Sequence, residues 1–170
     1  IAREAADKSA RLEKEKAEAE RREAAKLNAR RAALVPYSKA ADLRTRAATN
    51  VSYAMRAKSW SRAVDFYSEA LALDPNFAQA HLELGEVYAD LGYDDEALLH
   101  FERADTLTAA ETGRGHVEAL MAWAMYDFQR KLLNDSIGEN FGEIFRRFGP
   151  VKEAAEPGSM YSRLAQLLVD

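Results

Sequence analysis

The sequence predicts an all-α protein, and three observations carry that prediction. In 170 residues there are only 8 glycines and 4 prolines, so long stretches contain nothing that breaks a helix. The first 35 residues are built almost wholly from Ala, Glu, Lys and Arg, all strong helix formers. Elsewhere apolar residues recur three and four apart, the spacing of one helical face, and no stretch reads convincingly as a strand.

The elements follow in order. Residues 1–35 hold ten basic and seven acidic residues, a local charge of +3, against a net −4 for the chain. Pairs such as Glu4–Lys8, Asp7–Arg11 and Glu18–Arg22 place the acid four residues before the base, the favourable orientation on a helix. The large apolar residues are few (Leu12, Leu27, Leu34, Val35). A coiled coil wants two apolar positions in every seven, and this seam is mostly alanine. The segment therefore reads as a charged, solvent-exposed arm or linker helix, weakly able to pair with a second copy. Pro36 is expected to interrupt it or to open the next helix. From Tyr37 the residues Ala40, Leu43, Ala47, Val51 and Ala54 extend an amphipathic stripe, with a break at Lys58–Ser59. Ser59 or Ser61 is positioned to cap a second helix carrying Ala63, Phe66, Tyr67, Ala70, Leu71 and Leu73. That helix stops at Asp74-Pro75-Asn76, because a residue before proline is pushed out of the helical region.

A third helix spans 78–91, with Gly92 expected to close it in the left-handed conformation. Asp94 and Asp95 cap and charge the start of a fourth, near 94–106. After the connector "TAAETGRG" a long helix runs over 116–134, with Val117, Leu120, Met121, Met125, Phe128 and Leu132 on one face. "SIGENFGEIFRRFG" adds further amphipathic turns through Ile137, Phe141, Ile144, Phe145 and Phe148. "PVKEAAEPGS" reads as loop, and "MYSRLAQLLVD" closes the chain with Leu164, Leu167 and Leu168.

A repeat of 34 residues joins these elements. That shift lays Ala63 over Ala97, Tyr67 over Phe101 and Ala70 over Ala104, so small and bulky side chains share one face. Close helix pairing requires that combination. With Leu84, Gly85, Tyr88 and Gly92 added, residues 78–108 resemble the tetratricopeptide repeat, lacking only its closing proline, since Ala109 stands there. Residues 44–77 resemble it through Ala63, Tyr67, Ala70 and Pro75, with Val51 and Ala54 in the small and aromatic places of the first helix. A third, degenerate copy begins near Thr112. The resemblance implies an α-α superhelix of two clear repeats and one degenerate one over 36–110 and beyond. The helices of 111–170 cap its end, as a short solenoid requires.

Composition and motifs narrow the function. The negative balance argues against a nucleic-acid binder, and no run is long and apolar enough for a membrane span. Cysteine is absent, which removes disulfides, thiolate ligands and thiol nucleophiles, and leaves the compartment open with the cytoplasm favoured. His81, His100 and His116 fit no metal-ligand spacing and read as packing or surface residues. "GRG" at 113–115 is too short to cradle a phosphate, and no serine, histidine and acid fall in a catalytic frame. No catalytic residue, metal or cofactor is expected.

What remains is a protein- or peptide-binding scaffold. The resemblance implies a concave groove lined by the first helix of each pair: Gln79, Leu82, Glu83, Glu86 and Asp90 on one helix, and Thr45, Thr49, Ser52 and Arg56 on the preceding one. Glu83, Glu86 and Asp90 form an acidic stripe suited to a basic partner, and the Lys and Asn set with which family members hold chaperone tails is missing. The +3 arm could itself enter the groove, its own or that of a second molecule. Two further roles stay open. One is homodimerisation through residues 1–35. The other is a regulatory extension, because a charged helix followed by repeats resembles the region after the kinase and membrane segments of some bacterial serine/threonine kinases.

Overall fold

The computed structural model describes residues 2–108, 114–133 and 148–155, and among them it contains six helices and no strand. These are α1 (Ala2–Ala48), α2 (Tyr53–Leu73), α3 (Ala78–Leu91), α4 (Asp94–Thr108), α5 (Arg114–Leu133) and α6 (Phe148–Ala154). No helix among the described residues is long and apolar enough to cross a membrane. The architecture is an all-α helical repeat of the tetratricopeptide type.

The first correction concerns Pro36, which neither interrupts nor opens a helix. It lies inside the single 47-residue helix α1. Proline in a helix interior costs ~3 kcal/mol through the lost hydrogen bond and a ring clash. Here Pro36 is buried and shares a face with Ala33, Ala40 and Ala47, which are fully buried. Packing of that face, between strongly helix-forming flanks, outweighs the local penalty. Residues 8–28 are exposed on every side, so the arm projects from the body and is not folded into its own groove.

The second correction moves a boundary. The chain turns at 49–52, and α2 begins at Tyr53 after Ser52, whose extended backbone (φ −81°, ψ 123°) supplies the cap position without a side-chain bond. Lys58, Ser59 and Ser61 are therefore interior to α2, and Val51 is 98% exposed in the turn and takes no part in a stripe. The reason is length. α2 has 21 residues and α4 has 15, so the 34-residue register holds for the second helix of the first pair and fails for its first. The small-residue role assigned to Val51 is taken by Ala40 and Ala47 of α1.

α1 and α2 run antiparallel, as shown by the contacts Arg30–Asp74, Tyr37–Tyr67 and Arg56–Asn50. Ala63, Tyr67 and Ala70 are fully buried between α1 and α3, and Ala97, Phe101 and Ala104 repeat the arrangement one pair later. Gly85 is essential to the second pair: a Cβ there would sit 2.8 Å from two carbons of the buried Phe101 ring and 3.2 Å from the Ala97 carbonyl oxygen. Gly92 ends α3 at φ 80°, and its N–H bonds the Ala89 carbonyl. Asp94 and Asp95 lie in the first turn of α4, one step past the cap position, because the Ala97 N–H bonds the Tyr93 carbonyl.

α5 stands where a third repeat would begin. Ala119, 34 residues after Gly85, is buried against α3 and α4 with Trp123 and Tyr126 nearby. Its other face (Val117, Leu120, Met121, Ala124) meets Phe148, Val151 and Ala155 of α6 and its end. Here the loop expected at 150–159 is corrected over 150–154: Pro150 falls in the first turn of α6, where its missing N–H has no helical partner to lose. The expected packing residues Ile137, Phe141, Ile144, Phe145, Leu164, Leu167 and Leu168 lie outside the described residues.

Candidate partner-binding groove

α1, α3 and α5 are the first helices of successive pairs, the ones expected to line the groove, and α3 packs against both of the others. On α3, Glu83, which helical spacing alone points outward, is only 9% exposed. Tyr37 of α1 and Tyr67 of α2 each donate a 2.6 Å hydrogen bond to its carboxylate, Gln79 Nε2 donates at 2.9 Å, and Arg44 lies at 3.2 Å. Burial alone would raise its pKa. The bonds from Gln79, Tyr37 and Tyr67 and the Arg44 charge outweigh that and hold the carboxyl below the usual carboxylate range. Burial and the same bonds push both tyrosine hydroxyls far above their ordinary values. Glu83 therefore pins three helices together, with no lone pair turned to the groove. Its sequence signal was only the stripe Tyr37–Arg44, seven residues apart on the buried side of α1.

Arg44 continues outward to Glu86 at 2.7 Å. Burial raises the pKa of Glu86, and Glu83, Asp90 and Glu118 reinforce the rise against the lowering effect of Arg44. Asp90, exposed at the end of α3, is also shifted upward by desolvation, with Arg44 and Arg56 opposing. Arg44 thus bridges Glu83 and Glu86, while Asp90 and Glu118 add to the field at Glu86 and Arg56 to that at Asp90. Arg44 belongs to the site although the sequence register did not place it there.

The other predicted positions divide. Gln79 is exposed beside Glu83. Leu82 is buried against Ala97, Phe101 and Ala119, a correction to its expected exposure that follows from α5 covering that side of α3. Thr45 is exposed on α1, its hydroxyl returned to the Ala41 carbonyl. Thr49 and Ser52 belong to the turn, and Arg56 sits in the first turn of α2, its guanidinium 5.8 Å from the ring centres of Tyr53 and Trp60. A cleft of about 210 Å³ opens at the other end of α3, lined by Arg30, Gln79, Leu82, Leu107 and Ala119 among others. Arg30 is held there by Asp74, the Asn76 carbonyl at 3.0 Å and the Phe77 ring at 4.1 Å.

Two of the histidines, expected as packing or surface residues, pack against each other. His81 and His100, distant in sequence, meet across α3 and α4 with Nδ1 atoms 2.9 Å apart and ring centres 5.1 Å apart. Nitrogen faces nitrogen across a proton-sized gap, too narrow to hold a metal ion between them. Among the described residues no group of three or more His, Asp or Glu is placed to hold a metal.

Compared with known families, residues 57–92 match the model of the TPR repeat, covering most of α2 and all of α3 as far as Gly92. No curated protein and no solved structure matches the chain.

Proposed function

We propose that this chain is a non-catalytic protein-binding module whose α1–α3–α5 groove takes a basic peptide or helix of a partner protein. Repeats of this kind generally mediate protein–protein interactions, and the basic preference rests on one observation. Glu86 and Asp90 stand one turn apart on the same face of α3, and beside the burial of Glu86 the neighbouring Glu83, Asp90 and Glu118 carboxylates raise its pKa against the pull of Arg44. A lysine or arginine entering beside them would relieve that repulsion and favour their ionised forms. The cleft lined by Leu82 and Ala119 lies at the opposite end of α3 from Asp90 and offers an apolar side chain farther along the same ligand a place. Display selection of a random peptide library on the full chain tests this: selected sequences should be enriched in Lys and Arg and should lose binding to an Asp90→Lys variant. Selection of neutral or acidic sequences, or binding indifferent to that variant, would contradict it.

A second reading rests on the unbroken course of α1 from arm into repeat, which couples anything attached to the arm rigidly to the groove. In this reading, which takes its identity from the resemblance of a charged helix followed by repeats, the chain would be a regulatory extension of a bacterial serine/threonine kinase. A Gly-rich phosphate loop and an H-R-D motif upstream in the gene would establish it, and a start codon within a few residues of Ile1 would eliminate it.

A further inference from the structure

We propose that the projecting arms of two copies of this chain pair antiparallel about a two-fold axis between Ala19 and Glu20. This surface is separate from the groove and does not depend on it. The arm is a helix exposed over residues 8–28, with Leu12 56% and Leu27 52% exposed. Leu12, Lys16, Ala19, Glu23 and Leu27 follow one another at three and four residues and so share one face. Only the charge pattern of that face selects an occupant. In a parallel pair Lys16 would meet Lys16 and Glu23 would meet Glu23, two like-charge contacts. In the antiparallel pair that sets Leu12 against Leu27 of the other copy, Lys16 falls opposite Glu23, twice by symmetry. One axis serves both the apolar and the charged pairs. Within its own copy Glu23 holds only an exposed contact to Lys26 at 2.7 Å, which screens weakly and is readily shared. Isologous pairing of this kind closes on itself and yields a dimer rather than a filament.

The test uses the full chain. Sedimentation at low salt should show a reversible monomer–dimer equilibrium. Lys16→Glu should weaken it at least fivefold, and Lys16→Glu combined with Glu23→Lys should restore it to within twofold. In a parallel pair Lys16→Glu merely exchanges one like-charge contact for another, so it would change little. The chain has no cysteine, so single spin labels at Glu13→Cys and Glu20→Cys are unambiguous; both lie on the same edge of the pairing face, so their sideways separations match. Along the axis the twin labels should stand ~20 Å apart at position 13 and ~2 Å apart at position 20, at ~1.5 Å per residue. A chain that stays monomeric at millimolar concentration, a dimer unaffected by Lys16→Glu, or equal short distances at both labels would each overturn the proposal.

Discussion

Replacing His100 by glutamine should remove a specific acid sensitivity from the fold. His81 Nε2 lies 3.2 Å from the Pro75 carbonyl and donates to it, so its Nδ1 accepts from His100 Nδ1–H. One extra proton can be taken up at His100 Nε2 without disturbing this bond, but a second, on His81, would set N–H against N–H. Burial, and then the neighbouring His81, lowers the His100 pKa from 6.5 to about 4. Burial also lowers His81, aided by Arg103 and opposed by the Pro75 carbonyl. A depressed histidine leaves the native state neutral while the unfolded chain takes up protons. Its stability contribution is therefore complete above pH 6.5 and is lost as pH falls toward 4. At ~1.4 kcal/mol per unit the full shift would be ~3 kcal/mol, and partial solvent access reduces this to ~1–2 kcal/mol. Urea unfolding followed by circular dichroism at pH 7 and pH 4.5 reads the effect as the difference between wild type and His100→Gln, in which carboxylate contributions cancel. The variant should be less stable at pH 7, by about 1 kcal/mol for the lost hydrogen bond, yet lose less on acidification. Parallel pH slopes in the two proteins would refute the reasoning.

Three further outcomes follow from the packing. Gly85→Ala should destabilise by ~1 kcal/mol in urea unfolding, since overpacking against Phe101 at ~1–3 kcal/mol exceeds the ~1 kcal/mol gained in helix propensity; stabilisation would contradict the close approach of α3 and α4. Tyr67→Phe should cost ~1.5–3 kcal/mol at neutral pH by removing a hydrogen bond to a buried carboxylate. Because the Glu83 pKa is depressed, its contribution is present above the ordinary carboxylate pKa and lost as pH falls through the folded value, so the difference between Tyr67→Phe and wild type should shrink in acid. Deleting residues 1–28 should change the stability of the repeats by no more than ~0.5 kcal/mol, because residues 8–28 are exposed on every side.

The repeat was legible in the sequence wherever both helices of a pair kept ordinary lengths. Gly85, Gly92, Ala97, Phe101 and Ala104 fixed α3 and α4 nearly to their observed ends, because these positions are dictated by close packing and a left-handed cap. α1 and α2 were misdivided, because local rules weigh Pro36 and Ser59 without the buried face that lets α1 run through the proline. The groove was half legible. Glu86 and Asp90 follow from helical spacing alone, whereas the burial of Glu83 and Leu82 depends on Tyr37, Arg44 and Ala119 arriving from other helices. The His81–His100 contact follows from nothing shorter than the fold, since the two residues lie 19 apart on different helices.

The central claim is that an acidic groove on α1, α3 and α5 binds a basic segment of another protein, and calorimetry on a library-selected peptide tests it most directly. Titrated into wild type and into a Glu86→Gln, Asp90→Asn variant at 50 and 300 mM salt, the peptide should bind the variant at least tenfold more weakly at low salt. Raising the salt should erase most of that difference. Equal affinities for the two proteins at low salt would contradict the account.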